Sequence, residues 1–289
     1  MKLGIFSHCT IDEIGIGGNL YERPGGPACY CSLAAKSLGF DVELATKFGP
    51  DFGFAEQLQK NKITVEDALS QKPTTRFRLE VDGTERTLWL QNVCEEVNYK
   101  KIDADGILIS PVFNEVSDST FKKIKSDSET VFLDPQGFLR RTGPDKKIFF
   151  ENTQLDLTGV SVLKSDPNEV FNLTGHQGVD GALALQKKVK HLLYTNKQDV
   201  SLFYNGKQYS IRLPNMDIYD TSGVGDIFTA TFCCTLLKEK DILWALSFAG
   251  GAAQAALESK QIGLEKVSPR GAIESNASYF YNVIKFKDV

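Results

Sequence analysis

Six short apolar runs, residues 3–7, 42–46, 107–110, 131–134, 160–164 and 192–195, are separated by segments with helical patterning. Several of these runs lack polar alternation, as strands buried on both faces do. Strand–helix alternation of this kind builds a mostly parallel sheet with helices on both sides, so the expected class is α/β. The helix predicted over 28–38 is opened by Pro27 and closed by Gly39, the ends those residues favour. The last third reads as helices over 223–237 and 242–259. The second contains the small-residue run Ala249-Gly-Gly-Ala-Ala-Gln-Ala-Ala256. Small side chains let something approach closely, either another helix or a flat ligand such as a purine.

One segment breaks the pattern. Residues 74–90 alternate in period two, through Phe77, Leu79, Val81, Leu88 and Leu90, around Asp82-Gly83. Asp-Gly between alternating runs is a hairpin signal. With residues 12–21 this hairpin is expected to form a small β-layer, a lid of about 12–21 and 74–95, over one end of the main sheet. The plainer alternative is an ordinary antiparallel edge. Without repeats or a linker, residues 1–289 read as a single domain.

Composition narrows the function classes. A net charge of -4 and no Lys/Arg-rich run argue against nucleic acid. No apolar run reaches the ~20 residues a bilayer demands, and the first residues read as a core strand rather than a signal peptide. The six cysteines include no C-x-x-C pair and no histidine at metal spacing. Reduced, buried thiols and a cytoplasmic location are the expectation. Edge strands of the hairpin layer are available for pairing with a second copy, so the lid offers a surface for a homodimer.

The chemistry concentrates in Asp220-Thr-Ser-Gly-Val-Gly-Asp226, between the polar turn 214–219 and an apolar helix. Two glycines before a helix let the N–H groups of Gly223, Val224, Gly225 and Asp226 converge on an anion, and the helix dipole adds positive potential there. A carboxylate at the end of the turn then reaches a hydroxyl brought to that anion. Phosphoryl transfer needs little more than this positioning and charge neutralisation. The alternative is a simple cap by Ser222 or Asp220, with glycines that only tighten the turn.

These residues resemble a known family. Asp220-Thr-Ser-Gly-Val-Gly-Asp-Ile-Phe is similar to the D-T-x-G-A-G-D-x-F signature of the ribokinase-like (PfkB) carbohydrate kinases. Gly25-Gly26, followed by a helix ending Ser37-Leu38-Gly39, resembles the family's other signature. The resemblance implies a ribokinase-like three-layer sandwich with a β lid. It also implies an ATP-dependent kinase of a sugar, polyol or nucleoside hydroxyl, with Asp226 as catalytic base and Gly223, Val224 and Gly225 in the anion hole. By the same carry-over, Asp12, Gly25, Gly26 and Tyr30 contact the acceptor. Glu169, with Asp166, faces Mg²⁺ in Asp166-Pro-Asn-Glu169, which resembles an N-x-x-E motif. Lys164, Thr195, Ala252, Ala255 and Gly263 line the nucleotide, with Lys197 offering a side-chain charge in place of a glycine amide of the nucleotide loop. Asp134-Pro-Gln-Gly-Phe-Leu-Arg140 is similar to a segment of inositol kinases in this family, which adds Gln136 and Arg140 to the acceptor side and favours myo-inositol.

Two departures stand out. Tyr30 occupies the family's usual asparagine position, and Thr195-Asn-Lys-Gln-Asp-Val200 lacks the glycines of the T-x-G-x-x-G nucleotide loop. The second motivates a rival reading, a nucleotide- or polyol-binding protein with impaired catalysis. A hydrolase that uses Asp226 to activate water is a third. Other motifs read as decoys. Asp51-Phe-Gly53 lacks the rest of a protein-kinase site, and Gly15-Ile-Gly-Gly18 is no dinucleotide loop. His8 reads as structural.

Overall fold

A computed structural model describes all residues except Gly17, Glu66, Gly83, Thr84, Asp217 and Tyr219. The tip of the Asp82-Gly83 turn, part of 214–219 and Gly17 of the Gly15–Gly18 run lie outside the described residues.

Strand β1 (Lys2–Phe6) leads into the antiparallel pair β2 (Thr10–Ile16) and β3 (Asn19–Gly25), then helix α1 (Gly26–Ser37) and β4 (Asp41–Ala45). After the short α2 (Ala55–Lys60) come the antiparallel strands β5 (Thr75–Asp82) and β6 (Glu85–Asn92). Next are β7 (Gly106–Ile109), α3 (Asp118–Asp127), β8 (Val131–Leu133) and the one-turn α4 (Gln136–Leu139). The small pair β9 (Arg140–Thr142) and β10 (Ile148–Phe150) precedes β11 (Val162–Ser165), α5 (Pro167–Thr174), α6 (Gly178–Gln186) and β12 (His191–Asn196). Antiparallel strands β13 (Asp199–Tyr204) and β14 (Lys207–Arg212) follow, then α7 (Val224–Glu239) and α8 (Ile242–Glu258). A 3-10 turn (Gly263–Lys266), α9 (Arg270–Val283) and β15 (Lys285–Asp288) come last in order.

The main sheet has nine strands among the described residues, ordered β15-β14-β13-β12-β11-β8-β7-β1-β4. From β4 to β12 every pairing is parallel. β13, β14 and β15 extend it antiparallel. All six runs read from the sequence are strands of this sheet, and the class is α/β with helices on both faces. Neighbouring residues of one strand serve opposite cores. Leu108 faces a cluster built with α1, α7, α8 and α9, whereas Ile107 and Ile109 face one built with α3, α5 and α6. That two-sided burial explains the missing alternation.

The small-residue run serves helix packing. A Cβ on Gly251 would stand 2.9 Å from the backbone of Ile273 and Ala277 in α9, and one on Gly250 would stand 2.4 Å from Ile211. No helix among the described residues is long and apolar enough to cross a membrane.

A second sheet, ordered β3-β2-β5-β6, contains both segments of the expected layer. His8 joins it to the main sheet: its Nδ1 lies 2.8 Å from Thr75 Oγ1 and its Nε2 2.6 Å from the Glu95 carbonyl. Burial holds its pKa below the ordinary value, so the ring is a neutral structural bridge. Asp51 is structural as well, accepting from the N–H and hydroxyl of Thr74.

Candidate active site

The turn before α7 is held by Asp220. Its Oδ1 accepts the N–H of Ser222 at 2.8 Å and its Oδ2 that of Gly263 at 3.2 Å. Gly223 then enters the helix with φ 70, a conformation that costs other residues about 1–2 kcal/mol. The first amides of a helix have no partner within it. Of those in this turn, Val224 is the least available, because it donates to Thr221 O at 3.3 Å. Asp226 lies in the first turn of α7, half-buried.

Around Asp226 stand alternating charges. Lys164, at the end of β11, donates to Asp134 Oδ2 at 3.0 Å and lies 3.9 Å from Glu169. Its ammonium is 4.0 Å from where a Cβ on Gly225 would sit, so a buried cation flanks the glycine turn. Burial opposes the charge on Lys164, but Asp134, Glu169 and Asp166 overcome it and raise its pKa. Three carboxylates sharing one ammonium leave a surplus of negative charge. Burial, reinforced by Asp166 and Asp134 and opposed by Lys164, accordingly pushes Glu169 up. Asp226 is raised from 3.8 to about 7, by burial first and then by Asp134, with Lys164 and Arg140 opposing and Asp12 adding a further rise.

Arg140 is oriented by Gln136 Oε1 at 2.6 Å and the Val112 carbonyl at 3.1 Å. It also stacks 5.9 Å from the ring of Phe77 in β5. Its buried Nε has no partner among the described residues. The motif of residues 134–140 thus brings a guanidinium to the junction of the two sheets.

On the opposite side, Thr10 Oγ1 donates to Asp12 Oδ1 at 2.7 Å. Gly25, paired with Thr10 across β2 and β3, leaves room for that carboxylate: a Cβ there would stand 2.1 Å from Asp12 Oδ2. Gly26 has φ +78 and passes close to the His8 carbonyl. Tyr30 is 1% exposed, and its ring fills the space where a Cβ on Gly223 would lie, at 2.5 Å. Its buried hydroxyl has no partner among the described residues. Burial, with the charges of Asp12, Asp220 and Asp226, raises its pKa well above the ordinary value.

The residues assigned to metal and nucleotide are more dispersed. Asp166 and Glu169 form a capping box on α5, each carboxylate accepting the other's backbone N–H at 2.8 Å. Among the described residues no group of three or more His, Cys, Asp or Glu side chains is arranged to hold a metal ion. Thr195 stands near the end of β12, paired with Val200 of β13. Lys197 is exposed, with φ 54, in a two-residue turn joining β12 to β13. The segment that lacks the glycines is therefore a tight hairpin whose left-handed position is taken by a lysine. Ala252 is 1% exposed within the helical core, and Ala255 is half-buried. Gly263 has φ +73 and a side chain of the second sheet, Arg23, 3.4 Å from where its Cβ would be.

Sequence reasoning passed over two residues. Asp134 opens the quoted 134–140 motif directly after a strand, which was the available signal. Lys266 carries no motif, and only the fold brings it to Asp220.

A model of the pfkB family carbohydrate kinases matches residues 8–266. Similar solved structures include a pyrophosphate-dependent myo-inositol-1 kinase converted by substitution into a myo-inositol-3 kinase (TM-score 0.82, 20% identity, covering 96% of this chain and 99% of that one). Another is a pyrophosphate-dependent kinase of the ribokinase family complexed with a pyrophosphate analog and myo-inositol (TM-score 0.80, 20% identity, 94% and 99% covered). Arabidopsis thaliana ribokinase with ribose and ATP is a third (TM-score 0.74, 17% identity, 95% and 98% covered). At these identities the likeness establishes the fold. No curated protein sequence gives a match.

Proposed function

Since the chain belongs to the pfkB family of carbohydrate kinases, and so transfers phosphate to a hydroxyl, we propose that it moves the terminal phosphoryl group of ATP onto a small polyol or sugar, with myo-inositol the favoured acceptor and Asp226 the base. One observation carries this reading: Asp226 stands in the first turn of α7, and the glycine turn just before it is flanked by the Lys164 ammonium, 4.0 Å from the Cβ position of Gly225.

Asp12 grips acceptor hydroxyls beside Gly25, and Arg140 approaches from the 134–140 segment. The second sheet covers the acceptor as a lid and keeps water from the donor. Asp226 takes the proton of the attacking hydroxyl as its oxygen bonds to phosphorus. The bond from phosphorus to the leaving diphosphate opens, and the amides of the turn and Lys164 bear the charge on the phosphoryl oxygens. A pKa near 7 for Asp226 suits a base at neutral pH. Glu169 and Asp166 each have one oxygen committed to the capping box. They fit outer-shell contact, through water, to a Mg²⁺ arriving on the donor rather than direct ligation. Such an ion neutralises phosphate charge when bound. Six free, buried thiols suit a reducing compartment such as the cytoplasm.

A second reading concerns the donor. Ala252 is packed inside the helical core, and Lys197 offers a charge where a glycine amide was expected. Both features favour a donor held by its phosphates alone, such as pyrophosphate. Myo-inositol, ribose and nucleosides should each be incubated with ATP and with pyrophosphate, and phosphomonoesters followed by phosphorus NMR. Product with a polyol or sugar supports the acceptor assignment, and the productive donor decides between the two readings. Absence of turnover with every pair would refute both.

A further inference from the structure

Lys266 is 1% exposed in the 3-10 turn. Its ammonium donates to the main-chain oxygen of Asp220 at 3.1 Å and also to that residue's carboxylate. The same carboxylate holds the N–H groups of Ser222 and Gly263, so Asp220 ties the start of the anion turn to the 3-10 turn. Lys266 Nζ also lies 6.0 Å from the centre of the Tyr30 ring, and that ring packs against Gly223. A cation, a carboxylate and an aromatic ring thus form a buried support beneath residues 220–223.

Stability alone does not call for this arrangement. Taking an ammonium out of water costs several kcal/mol, and an apolar pair of the same volume commonly serves a fold as well or better. Nor does capping require it, because Ser222 and Gly263 already supply two donors to Asp220. What the ammonium adds is a hold on the Asp220 carbonyl. It also keeps the carboxyl ionised: burial would raise the Asp220 pKa, yet the charge and hydrogen bond of Lys266 hold it below the ordinary value.

We propose that Lys266 is a positioning residue for phosphoryl transfer, whose ammonium fixes the Asp220 carbonyl and carboxylate and thereby aims the amides of Gly223, Gly225 and Asp226 at the phosphoryl group beside Asp226. This rests on the reading of the anion turn given above. A misplacement of about 1 Å in such a constellation can lower turnover by roughly 10²-fold.

The test compares Lys266→Met with the double variant Asp220→Asn/Lys266→Met. The single variant leaves a buried charge unpaired and is expected to lose stability. The double variant removes both charges, keeps one amide oxygen as an acceptor for the turn, and is expected to be more stable than the single variant. At saturating donor and acceptor its kcat should nevertheless fall about 10–100-fold, with the acceptor KM within about threefold, because the Asp12 side is untouched. Wild-type kcat in the double variant, or a fall in rate that only parallels loss of folded protein, overturns the proposal. Asp226→Asn is measured alongside. If it stays active, the reading of the anion turn fails. If it is inactive while the double variant works at full rate, only the role of Lys266 fails.

Discussion

Replacing Asp226 by Asn is predicted to stabilise the protein at high pH while abolishing its use as a base. The carboxyl is raised from 3.8 to about 7 by burial and by Asp134. A raised carboxyl favours the protonated folded state. Its contribution is fully present below about pH 4, and is lost as pH rises through about 7. A rise of roughly three pH units corresponds to about 4 kcal/mol. The partial opening of Asp226 to solvent reduces this to about 2–4 kcal/mol. Asn has nearly the same shape and does not titrate. Urea unfolding of both proteins between pH 4 and pH 8 should therefore show similar stabilities at pH 4 and an advantage to Asp226→Asn that grows to about 2–4 kcal/mol by pH 8. Residues shared by both proteins cancel in this difference. An advantage that does not change with pH would mean that the carboxyl titrates alike in the folded and unfolded chain, contrary to this prediction.

Three further outcomes follow from the site. Gly223→Ala combines a left-handed φ with a Cβ 2.5 Å from the Tyr30 ring; it should lose about 2–4 kcal/mol in denaturant unfolding and lower kcat more than KM. Gly25→Ala places a methyl 2.1 Å from the Asp12 carboxylate, so steady-state kinetics should show acceptor KM raised by about tenfold or more with donor KM little changed. Lys164→Met strips the cation from Asp134 and Glu169. Thermal melts should show a loss of about 3–5 kcal/mol at pH 8 that shrinks at pH 5, where the raised Glu169 carboxyl holds a proton.

The parallel half of the sheet was legible because burial on both faces writes itself into uninterrupted apolar runs, as in 107–110 and 131–134. The turn at 220–226 was legible because φ +70 at Gly223 and the close ring of Tyr30 leave no other residue suitable there. The antiparallel extension was not. β13 and β14 each carry polar residues such as Ser201 and Ser210, which bond each other across the strands at 3.0 Å, and the turn between β12 and β13 uses Lys197 in place of a glycine. The run 249–256 announced a close approach without saying by what; α9 answers for Gly251, through a helix the periodicity did not single out. Lys266 was invisible because its meaning lies wholly in a partner 46 residues away in sequence. Charges of the site share this property, since the carboxylates that perturb Asp226 come from strands and loops distant along the chain.

The role of Asp226 is tested most directly by single-turnover transfer to myo-inositol, with donor prebound, in the wild type and in Asp226→Asn at pH 8. General-base catalysis by the Asp226 carboxylate predicts transfer slowed by about 10²–10⁴-fold with donor affinity retained. Equal transfer rates in the two proteins would contradict it.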